Sequence, residues 1–444
     1  HCISSAASDV YKRQIYVWSW YSPGGRFDRN SGKKCSSSDF GGFISMTKDL
    51  RFTALKKTPF HSRTSLASRT NKYYNWNGFT VPTEYSTTEL EYTAARNGTS
   101  VMDLTPMCKY MIKGSDANRF VDYLVTRDLS QMEDNTVAYI IWCNEDGKVM
   151  DDGTIFKFSN TKFMLCCAVK IYNWLHDSAL GFDISFEDAT DTTAALAIQG
   201  PTSCSTLKNY GADDLELLKP FGMKQYNING YDVLISRTGF TGDLGYELWT
   251  DPANAENMWD NIMEAGKELK IRPFGMHALE MTRIEAGFIQ TNTDFMAAED
   301  SLRPVRMRSP YEIGMGWLVH LNKERYFVGK RALKKEKETG NSERCLVGLD
   351  IDGDKPAVGS VIYNEKKEDI GIVTAAMWSP TMKRNVALAS LKRPYGVKIK
   401  ENIFAEIYHP EELEYKKIWA KCKVVKRQFF SPERRNKVPA DLYE

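Results

Sequence analysis

From residue 46 onward, stretches in which apolar and polar positions alternate are interleaved with stretches whose apolar positions recur every three to four residues. The first period marks strands and the second marks amphipathic helices. ELEYTAARNG (89–98) has the helical period and VMDLTP (101–106) the extended one. GSDANRFVDYLVTRDL (114–129) predicts a helix opened by a Ser/Asp cap. AYIIWC (138–143), the turn NEDGK, TIFKFS and KFMLCCA predict successive strands joined by tight turns. AALAIQGP (194–201) predicts a strand ended by a Gly-Pro break. A helix in PTSCSTLKNYG, a strand in YDVLISR, the glycine-rich RTGFTGDLGYELW (237–249) and a helix over 253–270 follow.

Neighbouring strands linked by both hairpins and helices predict an α+β fold rather than a doubly wound parallel sheet. KKEKETGNSER (334–344) reads as a charged, helix-breaking connector. Beyond it, CLVGLDI, GSVIYN, DIGIVTAAMW, NVALASL and IFAEIYH are short strands at close spacing, which predicts a small all-β barrel or sandwich. The organisation expected is a core of two α+β subdomains over 46–333 and a C-terminal β-barrel over 345–437. Residues 1–45 are Ser/Gly-rich without a sustained period and are expected to be a non-native or disordered leader, with Met46 as the start.

Composition removes several function classes. The 59 basic and 57 acidic residues are intermingled, so the net charge of +2 implies no nucleic-acid partner. No apolar run approaches the roughly 20 residues that span a bilayer, so no membrane association is expected. Nine cysteines without a CxxC pair predict reduced thiols inside a cell, in the cytoplasm, or in the mitochondrion of a eukaryote. Six scattered histidines without ligand spacing predict no metal site. Neither GxGxxG nor GxxxxGK[ST] occurs, which disfavours a nucleotide-phosphate cradle. The oligomeric state is left open.

Four segments hold candidate chemistry. In KVMDDGTIFKF, Asp151 and Asp152 sit between two strands, just after a turn. Strand residues alternate faces, so at most one of the two is expected in a given cleft. The pair reads either as turn-capping acids or as one ionised carboxylate that orients an amine nucleophile. RTGFTGDLGYELW reads either as a glycine-rich connection or as a cradle. In a cradle, Gly239, Gly242 and Gly245 would admit a ligand against the backbone. Glu247 would accept two N–H bonds from a heteroaromatic ring, and Phe240 and Trp249 would offer stacking faces. WNGFTVPTEYS (76–86) is an aromatic loop, and MHALEMTRIEAG (276–287) is an amphipathic helix in which Arg283 and Glu285 read as an internal ion pair.

These segments stand in a recognisable order. WNGFTVPTEYS with ARNGTSVMDLTPM, then NEDGKVMDDGTIFKF, AALAIQGP, RTGFTGDLGYELW, TRIEAGFIQTNTDF, SPYEIGMGWLVHLNKERYFVGKRAL and GIVTAAMWSPTMKRNVALASL resemble successive blocks of the glycine-cleavage T-protein family of aminomethyltransferases. The resemblance runs from about residue 58 to about 432. It implies a three-domain cloverleaf with tetrahydrofolate as carrier of a one-carbon unit, taken from a small-molecule or lipoyl-protein donor. It implies that Asp151 lies near the folate nitrogens, that Glu247 grips the pterin, that Phe240 stands where the family often has Tyr, and that Tyr139 walls the cavity. The chain also departs from the family. The arginine that would meet the folate glutamate tail falls on Leu279, which leaves Arg283, Arg272 or Arg435 for that contact. Thr105, Pro106 and Met107 replace a Ser-His-Met, and MAAEDSLRPVRMRSP (296–310) is longer than its counterpart. Folate-dependent demethylases, of dimethylsulfoniopropionate, methylamines or aryl methyl ethers, and non-catalytic folate-binding proteins are the alternative readings. Retention of Asp151 favours amine chemistry.

Overall fold

Ala194–Gln199 is the hub of a six-stranded sheet, because every one of its residues is buried and it pairs on both sides. The strand order is Met223–Ile228, Tyr231–Ser236, Gly245–Thr250, Ala194–Gln199, Ser100–Asp103 and Arg272–Pro273, antiparallel except for the last pair. Alternation divides the side chains. Leu196, Ile198, Tyr246 and Leu248 pack outward on helices Ser203–Tyr210 and Ala255–Ala265, through Leu207, Met258 and Ile262. Ala195, Ala197 and Trp249 face inward.

A second sheet, all antiparallel, has the order Thr136–Cys143, Val149–Ser159, Lys162–Cys167, Cys108–Lys113 and Ser185–Asp188. Its outer face packs on helix Ala117–Leu124, while Val137, Phe156, Met164 and Cys166 meet the inner face of the first sheet. The expected side-chain cap of that helix is not made. Asp116 instead accepts from the Asp183 amide and from Arg119, which ties the helix start to a distant loop.

The third element is a closed six-stranded barrel, ordered Arg344–Ile351, Arg384–Lys392, Asp369–Ser379, Val361–Tyr363, Asn402–Glu411 and Glu414–Val425. Its last strand was not among the five expected, because EYKKIWAKCKVV is rich in exposed lysines and hides its alternation. A three-stranded sheet of Lys56–Lys57, Phe79–Glu84 and Lys72–Trp76 completes the α+β fold. The charged run after Leu333 proves helical within Lys330–Thr339, since Lys and Glu favour helix, and Gly340, at φ +63°, ends it. This computed structural model describes residues 54–321, 324–398 and 402–439; the expected leader, 1–45, lies outside them.

Helix Met276–Ala286 connects the lobes. Ile284 packs with Ala375, Met377 and Leu388 of the barrel. Glu285 accepts from Arg96, Tyr92 and Ser379, and the Gly275 amide donates to Glu91. Arg283 and Glu285 are therefore not a pair. Residues two apart on a helix point to different sides, and Arg283 instead donates to Glu280 and to buried Asp294 at 2.6 Å.

The glycines of 237–249 serve packing. A Cβ on Gly239 or Gly245 would lie 2.0 or 2.2 Å from the Gln199 amide oxygen, and one on Gly242 would lie 2.4 Å from the Ala286 methyl group. The buried Gln199 side chain fills that space and bonds to the Thr238 and Tyr246 carbonyls. Close approach is made by the protein itself, not by a ligand as the cradle reading holds. Gly242→Ala, which also forces Cβ onto a φ of +74°, is expected to cost about 1–3 kcal/mol in a denaturant melt. An unchanged midpoint would remove this account of the segment.

Candidate functional site

Alternation carries Glu247 to the inner face, beside Trp249 and opposite the strand with Cys166. The carboxyl is half-buried and one oxygen, Oε2, accepts from the Thr238 hydroxyl at 2.6 Å. Among the described residues no hydrogen bond to Oε1 is seen. Burial pushes the acid up to about 7, against the Thr238 bond that pulls it down. Trp249 is 4% exposed, with Phe156 edge-on at 5.3 Å between centroids and its indole N–H directed at Ser236. It closes the seam between the sheets next to Glu247.

Asp151 and Asp152 start the strand whose Phe156 lies in that seam. A bulge at Met150 interrupts the ladder just before them: Asp151 opposes Trp142, yet Val149 opposes Cys143. Bulges re-aim side chains, and strict alternation fails here. Both Oδ1 atoms reach one hydroxyl, that of Thr291, at 2.5 Å from Asp151 and 3.2 Å from Asp152. Asp151 also accepts from the Val169 amide at 3.3 Å, and Asp152 from the Tyr139 hydroxyl at 2.6 Å. Burial and repulsion from Asp152 push Asp151 well above the usual carboxylate range, while burial raises Asp152 to about 6 against the pull of Tyr139 and Thr291. A buried acid and a half-buried one this close titrate as a pair. Tyr139 thus belongs to this corner, its ring 6.3 Å from that of exposed Trp317.

Phe240 lies elsewhere, 5.5 Å from Phe288, and the Arg435 guanidinium covers the Phe288 ring at 5.2 Å. The chain's last described turn is clamped there. Arg237 donates to the carbonyls of Arg435 and Asn436, and Arg434 makes a two-point pair with Asp243. Burial lowers the Arg435 pKa. Arg283 differs. It is 0% exposed, and each of its nitrogens is committed to Glu280, Asp294 or the Phe288 carbonyl. Leu279 borders the seam and Arg272 is exposed.

Sequence reasoning missed two groups. Thr291 sits in a polar run, TNTD, with no pattern to distinguish it. Lys109 is 0% exposed within an otherwise ordinary strand; its ammonium donates to the Thr105 and Met107 carbonyls and lies 6.0 Å from the Trp249 ring. Burial lowers it to about 8. The replaced segment at 105–107 was the available signal, because its carbonyls are what hold this lysine. Among the described residues no helix is long and apolar enough to cross a membrane.

The fold matches that of a solved protein, the glycine cleavage system aminomethyltransferase T from Bartonella henselae, with a TM-score of 0.74 at 21% identity over 85% of this chain and 98% of that one. The two share one architecture, an α+β core followed by a barrel. The chain belongs to the glycine cleavage T-protein family: residues 63–323 match the GCVT N-terminal domain, and 344–431 match the glycine cleavage T-protein C-terminal barrel domain. It is 32% identical to an aminomethyltransferase of Thermotoga maritima over 79% of this chain and 92% of that protein. It is 34% identical to one of Caldanaerobacter subterraneus subsp. tengcongensis over 77% and 89%.

Proposed function

We propose that this protein is a tetrahydrofolate-dependent aminomethyltransferase, taking a one-carbon unit from an aminomethyl donor carried on a lipoyl protein or a small molecule. The observation that carries the reading is the pairing of two unlike acid sites on facing sheets. Glu247 has an oxygen without a partner among the described residues beside a tryptophan, and buried Asp151 and half-buried Asp152 share the Thr291 hydroxyl. The groups fit a flat ring with adjacent N–H donors at one end and a reacting nitrogen at the other. Tetrahydrofolate, when bound, supplies the nitrogen that takes up the one-carbon unit. Glu247 accepts the ring N–H bonds, and Arg435, over Phe288 and near Phe240, meets the negative tail. The Asp pair would accept a proton from that nitrogen and offset positive charge developing there. Holding donor and acceptor in line can remove ~7–11 kcal/mol of the barrier in well-oriented systems. In this reading 46–333 is the folate-binding core and 345–437 the barrel that covers it.

The test is to supply aminomethyl-lipoyl protein, dimethylglycine, sarcosine, dimethylsulfoniopropionate or a methoxyaryl acid with tetrahydrofolate and to identify the folate product. Methylene-folate with ammonia from the lipoyl donor is expected. Methyl-folate from a sulfonium or methoxy donor would replace this reading by a demethylase.

Glu247 makes its own prediction. An acid near 7 must be ionised to accept two N–H bonds, so folate should bind about tenfold more weakly at pH 6 than at pH 8. Glu247→Ala should weaken binding and abolish that dependence. Calorimetric titration checks both, and equal affinity in the variant removes the pterin contact.

A further inference from the structure

We infer that Thr291 is a positioning residue that joins Asp151 and Asp152 into one unit, holding a single proton and a single negative charge between them. The inference rests on the reading of the Asp pair as the proton-handling corner of the site. Its ground is the geometry of one hydroxyl within 2.5 and 3.2 Å of two carboxyl oxygens. A hydroxyl has one proton and can donate to only one of them. If both acids were ionised, the other contact would set oxygen lone pairs against each other. If one acid is protonated, it donates to the Thr291 oxygen, Thr291 donates to the other, and both contacts become hydrogen bonds. The arrangement is satisfied as acid, hydroxyl, carboxylate in a row.

The surroundings agree with one charge. Tyr139, from strand Thr136–Cys143, donates to Asp152, and the Val169 amide, just beyond Lys162–Cys167, donates to Asp151. The buried Cys167 thiol lies beside Asp151 and donates to the Val169 carbonyl. Asp294, on the loop that carries Thr291, pairs with Arg283, and its charge still faces Asp152. Arg427, from the segment after the barrel, faces Tyr139 and Asp294 and donates to the Ile313 carbonyl. Burial and repulsion from Asp152 raise Asp151, and burial with the nearby Asp294 raises Asp152, which resists a second negative charge. The loop is held rigidly: Asp294 accepts from Arg283 and from the Gln290 amide, and Asn292 and Phe295 bond across it. Arg283 thereby acts on the site from a distance, through the loop that presents Thr291. A row of this kind accepts a proton at its ionised end and releases one at its protonated end, so its total charge stays constant.

The test compares native protein with Thr291→Val, which keeps the shape and removes the hydroxyl, and Thr291→Ser, which keeps the hydroxyl. In ligand-free protein carrying 13C-labelled aspartate carboxyls, native and Ser forms should show one shared titration step displaced upward. In the Val form that step should move to still higher pH, because a bond to the charged form is lost. In the transfer assay, the acid limb of the kcat profile should move up in the Val form, and kcat at pH 7 should fall roughly tenfold. KM for folate should stay within about twofold, and Ser should restore the native profile. Should the Val form fail to fold, Thr291→Cys, of similar size and a weaker donor, takes its place. Identical carboxyl titrations with and without the hydroxyl would overturn the assignment. A native protein that transfers no one-carbon unit would reject the proposed function, and the titration would still decide the role of Thr291.

Discussion

Asp151→Asn should lower kcat for one-carbon transfer by about 10²–10³ while folate affinity changes by less than about threefold. Asparagine has nearly the same shape and can still accept from the Val169 amide, so the corner keeps its packing. What it loses is the ionisable oxygen and, with it, the shared proton. Folding should not suffer. A buried acid raised well above the carboxylate range binds its proton more tightly in the folded than in the unfolded state, so native Asp151 subtracts stability as pH rises above the unfolded pKa. Asparagine removes that penalty, and the variant should melt no lower than native at pH 8. Stability sacrificed at a site that needs a strained charge is the usual pattern. Single-turnover kinetics, calorimetry and a thermal melt separate these effects, and undiminished turnover would end the role assigned to Asp151.

Arg283→Met should act in the opposite sense, costing about 3–5 kcal/mol of stability. Both Arg283 and Asp294 have fully buried side chains, 2.6 Å apart, and the arginine also holds Glu280. Methionine fills the space but leaves Asp294 as an uncompensated buried charge. Arg283→Met with Asp294→Leu should recover much of the loss, since removing both partners of a buried pair is far milder than removing one. Urea unfolding of the two variants and of native protein measures this. A single variant that folds with native stability but binds folate poorly would restore Arg283 to the ligand contact inferred from sequence resemblance.

The two acids reveal how far local reading goes. Glu247 drew notice as one carboxylate in a run of glycines and Asp151 as one of a doubled acid after a turn, but each segment also read as a plain turn until the order of family blocks singled it out. Alternation located part of the Asp151 strand, in TIFKFS, but not the Glu247 strand, Gly245–Thr250, which the glycines disguised as a connection. The purpose of the glycines was not legible: Gln199 lies some forty residues away from Gly239 in the chain, and nothing local shows that its side chain needs the room. The helix over Lys330–Thr339 was obscured by its charge, and the final barrel strand by its lysines, because both expose one face to solvent and bury few residues.

Taken alone, the sequence determined the α+β class, the barrel and the order of family blocks, and it singled out two acid segments as candidates. These follow from periodicity and from short motifs, which depend only on neighbours along the chain. The tertiary structure decided which atoms those acids meet. Thr291 reaches Asp151 across 140 positions, Arg96 reaches Glu285 across 189, and Arg434 reaches Asp243 across 191. Charge state is decided at the same level, because it depends on loss of water and on the nearest charge, and both are contributed by distant segments.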